Sequence, residues 1–312
     1  MLALAVLVVW QFQPTGEPDA LVVINKGATF GEIGKQLQED GWIHSSLFWQ
    51  ILGTISGKSN DYYAGTYRFT SNMGMITILD EIHLGHFDQE PIRLTIPEGS
   101  TIEQIASYVE ETGVVSAEDF LGAVKSVTRE GASTEVFYEL EGYLFPETYF
   151  LHFGMSSEEI LGMLQNQFDI VMSEIEIPED VVLSQEELII LASIVEKESQ
   201  DPDEIALVAG VFFNRLNIDM ALQSCATVNY ILKQDKLILS DEDIKVESPY
   251  NTYINVGLPP GPVGNPGRAA IEAVLNPEMS DYLYFVAGPD GVHHFSETYE
   301  EHIWWSQKLW GD

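Results

Sequence analysis

The stretch from Ser184 to Gln200, SQEELIILASIVEKESQ, constrains the fold more than any other part of the chain. Ser184 followed three residues later by Glu187 has the form of a capping box, in which hydroxyl and carboxylate satisfy free amides at a helix start. A helix is therefore predicted to begin there and to run through Leu188 to Val195, a block apolar on almost every side. Such a helix cannot rest on a surface and must be enclosed by other elements. It ends in Glu196, Lys197 and Glu198. At 3.6 residues per turn the two carboxylates part: Glu198 falls in line with Leu191, Ile194 and Val195, whereas Glu196 projects with Ala192 and Ser193. A carboxyl on the apolar stripe is held partly out of water, which favours its neutral form and suits a general acid. The other reading of Glu198 is the first solvated residue of a fraying helix end, and the helix alone leaves both open.

A chain of 312 residues is expected to form two domains, or one large and one small, each with its own core. Its 49 acidic residues against 14 basic give a formal charge of −35, which would repel phosphate-rich partners and excludes nucleic acid binding. An acidic surface also fits a saline habitat or a need for solubility outside the cell. Cys225 is the only cysteine, so no disulfide framework exists. Residues 1–10, MLALAVLVVW, are apolar, but a spanning helix needs about 20 such residues and a basic flank is missing. The run is read as the surviving end of a membrane anchor, with a buried strand as the alternative.

Residues 11–19 contain Pro14, Gly16 and Pro18 and read as a linker. Beyond them LVVINKGATFGEIGKQLQEDGWI returns 72 residues later as IRLTIPEGSTIEQIASYVEETGVV, pairing Ile24 with Ile96, Gly27 with Gly99, Thr29 with Thr101 and Gly41 with Gly113. Each copy reads as a strand, a glycine turn, a threonine-capped helix and a closing glycine. The pattern GATF or GSTI after a strand resembles the LysM module that grips N-acetylglucosamine-containing glycans, with Ala28 and Ser100 replacing its usual aspartate; a structural α+β module is the other reading. Between the copies, residues 62–70 read as a strand and 71–84 as a helix stopped by Gly85. Residues 116–140 are predicted to be helical, and EGYLFPETYF at 141–150 a rigid loop or short strand. Its aromatics fit either a sugar-binding wall or a domain-junction core. Helices are expected at 155–173, 203–216 and 266–275, and two strands around Pro289, Asp290 and Gly291 before a final helix with three tryptophans.

His293, His294, Glu297 and His302 cluster in sequence, but adjacent histidines on a strand point to opposite faces, and no metal or other cofactor is expected. Nothing around Cys225 predicts an activated thiolate. What remains is one buried glutamate at a helix end, amide and hydroxyl donors downstream, and aromatics on either side. Glycoside cleavage fits that set, the acid protonating the departing oxygen. A hydrolase adds a second carboxylate, and Glu196 faces away. Either Glu147 or another distant acid completes a pair, or the substrate supplies its own nucleophile.

ASIVEKES, FFNRL, LQSCATVNY, YNTY followed by GLPPGP and NPG, YLYFV and GVHHFS, in this order and together with AGTYRF and EGYLFPETY, resemble the endolytic murein transglycosylase family, MltG or YceG-like, over nearly the whole chain after residue 20. The resemblance implies an α+β fold: an anchor and linker at 1–19, a LysM-like region at 20–125 and a mixed α+β lytic-transglycosylase catalytic domain at 126–312. It implies a bacterial enzyme, held by a single pass in the inner (cytoplasmic) membrane with its catalytic domain outside the cytoplasm. Its substrate would be nascent peptidoglycan strands and its partners the cell-wall synthesis machinery. It carries the catalytic acid onto Glu198, acting first as acid and then as base. The 6-hydroxyl of N-acetylmuramic acid attacks its own anomeric carbon, leaves a 1,6-anhydro end and removes the need for a second carboxylate. By position Glu147, Asn214, Gln223, Tyr250, Asn251, Thr252, Tyr253 and Asn265 become candidates for lining or bracing the cleft. Cys225 and Ala226 stand where relatives often have aspartate and then proline or alanine. A hydrolytic muramidase and a non-catalytic wall-binding protein are the rival readings.

Overall fold

The computed structural model describes residues 10–85, 91–129, 131–152, 154–178, 181–199, 201, 203–236 and 238–311. The chain forms two compact units, one of Met1–Arg93 with Phe150–Ser156, the other of Leu94–Tyr149 with Ser157–Asp312. The architecture is mixed α+β.

In the first unit β1 (Ala20–Ile24) pairs antiparallel with β2 (Gly65–Phe69), Val22 opposite Tyr67. Helices α1 (Phe30–Glu39), α2 (Ser46–Ser56) and α3 (Met75–Leu84) accompany this ribbon. Thr29 and Glu32 form the capping box of α1. Alternate strand residues Val22, Ile24, Tyr67 and Phe69 join Ile33, Leu37, Trp49 and Ile78 in one core. Helix α2 was not foreseen, because its sequence, SLFWQILGTIS, is apolar without a clear period. Gly85, left-handed at φ 68°, closes α3 as expected.

The two other strands that follow, β3 (Ile92–Thr95) and β4 (Thr148–Leu151), pair with each other. The second repeat copy belongs mainly to the larger unit, whereas the expected division lay after residue 125. There Thr101 and Gln104 cap α4 (Ile102–Glu111) as Thr29 and Glu32 cap α1. Helix α5 (Ala117–Ser126) is shorter than the helix expected over 116–140, and Gly131 beyond it takes a left-handed φ of 87°. Next come α6 (Ser157–Glu174), α7 (Gln185–Glu198), α8 (Ile205–Asn217), α9 (Cys225–Leu232) and α10 (Arg268–Leu275). An antiparallel pair, β5 (Tyr284–Ala287) and β6 (His293–Ser296), precedes α11 (Tyr299–Trp310).

Helix α7 is the centre of this unit. Ser184 accepts the Glu187 amide while Glu187 accepts that of Ser184 at 2.8 Å, the expected capping box. Every residue from Leu188 to Glu196 is buried. Burying an apolar side chain fully is worth about 1.5–3 kcal/mol, so this helix ties α8, α9 and α10 into one core. One face carries polar groups inward: Ser193 accepts the Val263 amide at 3.0 Å, and Glu196, a turn later, accepts that of Gly267 at 3.0 Å.

The single-pass membrane anchor expected from residues 1–10 is corrected: no helix among the described residues is long and apolar enough to cross a membrane. Residues 1–9 themselves lie outside the described residues. A span takes about 20 apolar residues, and the longest helix described, α6 with 18, carries Glu158, Glu159, Asp169 and Glu174.

Candidate functional site

The larger unit holds a cavity of 1420 Å³ onto which Glu198 opens. Helix phase puts it there: Glu196 is committed to Gly267 on one side of α7, and Glu198, two residues on, turns to another. Ser224, the N-cap residue of α9, donates its hydroxyl to Glu198 Oε1 at 2.5 Å. Burial pushes the Glu198 carboxyl above the usual range, opposed by Ser224, His293, the Ala226 amide and Arg215. The group is thus biased toward the protonated form and keeps a fixed hydrogen bond.

Ser224 is itself held. Its amide donates to Thr252 Oγ1 at 3.1 Å, and Thr252 meets Thr227 at 2.9 Å between hydroxyls. The neighbouring Gln223 donates its amide to Thr252 O at 3.0 Å and adopts φ 51°, a left-handed backbone uncommon outside glycine. Its exposed side chain lines the cavity, as does Tyr253, whose hydroxyl lies 3.1 Å from Cys225 Sγ. Burial raises the Cys225 thiol, so it stays neutral rather than becoming a nucleophile.

The structure brings Glu198, Gln223 and Tyr253 to this cavity; the other sequence candidates sit around it or apart from it. Asn251 is buried and donates to Ile244 O and Val246 O, holding its loop. Tyr250 is buried and stacks on Phe137 with centroids 5.2 Å apart. Asn214 donates to Ser280 O and Tyr282 O, at the approach to β5. Asn265 is fully buried, donating to Ser100 O and Glu141 and accepting from the Leu144 amide. Through it the turn at 263–267 lies against the second repeat's glycine turn, so closely that a Cβ on Gly264 would meet Gly99 O at 2.5 Å. Glu147 is exposed, does not line the cavity, and accepts the Thr148 amide at 2.8 Å.

Glu141, not singled out from sequence, is a second carboxyl on the cavity wall. Burial pushes it up to about 8, although Tyr230, the Ile102 amide at the start of α4, and Asn265 all donate to it. The absence of any period in EGYLFPETYF hid it. His293 and Arg215 also line the cavity. Arg215 is buried and donates to Leu222 O and Leu283 O. Among the described residues no group of three or more histidine, cysteine, aspartate or glutamate side chains is arranged to hold a metal ion. Among the described residues, five of the chain's 14 basic residues, Lys125, Lys197, Arg215, Lys233 and Lys236, line the cavity, together with four acidic ones.

A family model described as the YceG-like family matches residues 22–307. A protein of Streptococcus pneumoniae named endolytic murein transglycosylase is 35% identical, over 90% of this chain and 56% of its own length. One of Bacillus subtilis with the same name is 31% identical, over 92% of this chain and 84% of its own. The chain thus spans about half the length of the Streptococcus pneumoniae relatives it matches. The 2.6 Å crystal structure of a yceG-like protein from Listeria monocytogenes superposes with a TM-score of 0.64 at 31% identity, over 93% of this chain and 99% of that one. On the extent of these matches, this chain belongs to the YceG-like family.

Proposed function

We propose that the cavity cleaves peptidoglycan glycan strands internally by lytic transglycosylation, with Glu198 as the acid. The observation that carries this reading is a carboxyl raised by burial, fixed by Ser224 and open to a large cavity. In the reaction Glu198 protonates the bridging oxygen between N-acetylmuramic acid and N-acetylglucosamine while the C1–O bond breaks. The 6-hydroxyl of the same muramic acid closes on C1, its proton returns to Glu198, and a 1,6-anhydro end remains without water being consumed. Gln223 and Tyr253 are assigned to the glycan. Thr252, Asn251, Asn265, Tyr250 and Asn214 are assigned to bracing the walls, and Glu147 to a glycan contact beyond the cavity. The first repeat copy, with its LysM-like turn, is assigned to gripping glycan, and the wall synthesis machinery is the partner expected to supply nascent strands. The name carried by the Streptococcus and Bacillus relatives supports the same reaction.

One observation favours a second reading, a hydrolytic muramidase: Glu141 offers a second carboxyl on the same wall. Three donors already engage it, which leaves it little capacity to activate water. Mass spectrometry of peptidoglycan digested with the full chain separates the readings. Anhydro products one water lighter than hydrolysis products, absent with Glu198→Gln, are expected. Hydrated ends would replace the proposal with the muramidase, and bound but uncut glycan would replace it with a wall-binding protein.

A further inference from the structure

Glu204 occupies the N-cap position of α8, yet its side chain does not cap that helix. It turns instead to His293 on β6, where it accepts the His293 backbone amide at 3.1 and 3.3 Å and meets ring Nδ1 at 2.6 Å. The two side chains are 8 and 14% exposed, so the pair is shielded from bulk water. A carboxylate is an acceptor only, so at this distance Nδ1 bears a proton, and Nε2 is the nitrogen left to exchange one. Phe285 stands edge-on to the ring at 5.4 Å and fixes its plane. Among the described residues no hydrogen bond engages Nε2, and His293 lines the cavity together with Glu198. A carboxylate that holds one imidazole nitrogen and leaves the other free beside reacting groups is the arrangement that makes histidine a proton acceptor.

We propose that His293, oriented by Glu204, is a further catalytic residue, the base through which the proton of the attacking hydroxyl returns to Glu198. The inference rests on the transglycosylase reading and deepens it. The Glu198 proton goes to the bridging oxygen as the C1–O bond breaks. The O6–H bond breaks as O6 bonds to C1, and that proton passes to Nε2. The imidazolium then gives one proton to the Glu198 carboxylate, restoring both groups with no water and no other reactant consumed. The Glu204 carboxylate stabilises the charged ring while it holds the proton. Splitting the duties relieves Glu198 of having to reach two substrate oxygens from a carboxyl that Ser224 holds in place.

The test is single-turnover cleavage of peptidoglycan strands by the full chain and its variants, with thermal melting as a check on folding. His293→Ala is expected to lose about 100-fold or more, the range of a general base, and to regain activity with added imidazoles in order of their basicity. Glu204→Gln, which keeps an acceptor for Nδ1–H but loses the charge, is expected to lose about 10-fold, as orienting partners do. His294→Gln, on the opposite face of β6 and stacked on Trp305 at 4.0 Å, is expected to cut at the wild-type rate. A purely structural staple between β6 and α8 would give a loss that no imidazole restores, and that result overturns the proposal. Full activity in His293→Ala overturns it too. Should His293→Ala fail to fold, full activity in Glu204→Gln does the same. Absence of product from the wild type would be a different failure, overturning the transglycosylase reading and this inference with it.

Discussion

Ser224 controls how readily Glu198 gives up its proton. Its hydroxyl stabilises the ionised carboxylate, while burial works in the other direction and prevails. In Ser224→Ala the opposing bond is gone, so the Glu198 carboxyl should rise further and stay protonated to higher pH. The alkaline limb of the pH–rate profile is therefore expected to move upward in single-turnover assays, and an unmoved limb would remove Glu198 as the titrating acid. Gln223 makes a separate prediction. A left-handed backbone at a residue with a side chain costs on the order of 1 kcal/mol, and here the strained residue faces the cavity. Gln223→Gly releases that strain and adds chain entropy to the unfolded state, offsetting to within about 1 kcal/mol, so melting should hold while glycan affinity falls. Unchanged affinity would show that the side chain is not used. Glu198 was legible because helical phase fixes direction along a regular element. Asn251, Thr252 and Asn265 were legible only as polar residues of a rigid loop, since a side chain facing substrate and one clasping backbone have the same composition.

At the scale of elements, α7 owes its position to the polar face opposite its cavity side. Glu196, 2% exposed, is pushed up to about 7 by burial and by the nearby Glu98, although the Gly267 amide opposes this. A carboxyl with a folded pKa above its unfolded value contributes stability that is whole below about pH 4.5 and is lost as pH rises through about 7. A rise from 4.5 to about 7 corresponds to on the order of 3 kcal/mol between those limits. Glu196→Gln still accepts the Gly267 amide through its side-chain oxygen but cannot ionise. Its melting temperature should exceed that of the wild type at pH 8 and fall less between pH 5 and 8. Glu141, pushed up to about 8, adds a slope of the same sign, so the variant should lessen the decline without abolishing it. Identical pH dependence in both proteins would mean that Glu196 is ionised in the native state throughout. The capping boxes at Thr29, Thr101 and Ser184 were readable because they are local exchanges across three residues. Where the second copy's glycine turn docks was not, because that depends on contacts between residues 99 and 264, far apart in the chain.

Across the whole molecule, charge acts in two ways that salt can separate. The chain carries −35, so folding concentrates like charge that the unfolded chain spreads out. Screening relieves this, and because the Debye length is already about 10 Å at 0.1 M, most of the gain in melting temperature should appear by a few tenths molar sodium chloride. Melts insensitive to salt would show that the surface charges are too well separated to repel. The cavity is different: among the described residues five basic side chains face four acidic ones, two of which, Glu141 and Glu198, burial pushes toward the neutral form, so its lining carries a small positive excess. Two of the lysines are already committed, Lys233 to Glu103 and Lys236 to Asp243. The local excess is far too small to cancel −35 at a distance, so a glycan strand whose stem peptides carry free carboxylates meets net repulsion on approach. Its kcat/KM should therefore rise with salt over the range in which the Debye length shrinks from about 30 to 10 Å. The same strand with its carboxylates amidated should show little change. If attraction by the cavity cations outweighed the field of the whole chain, salt would lower kcat/KM for the carboxylate strand instead, and the sign of that one slope decides between the two.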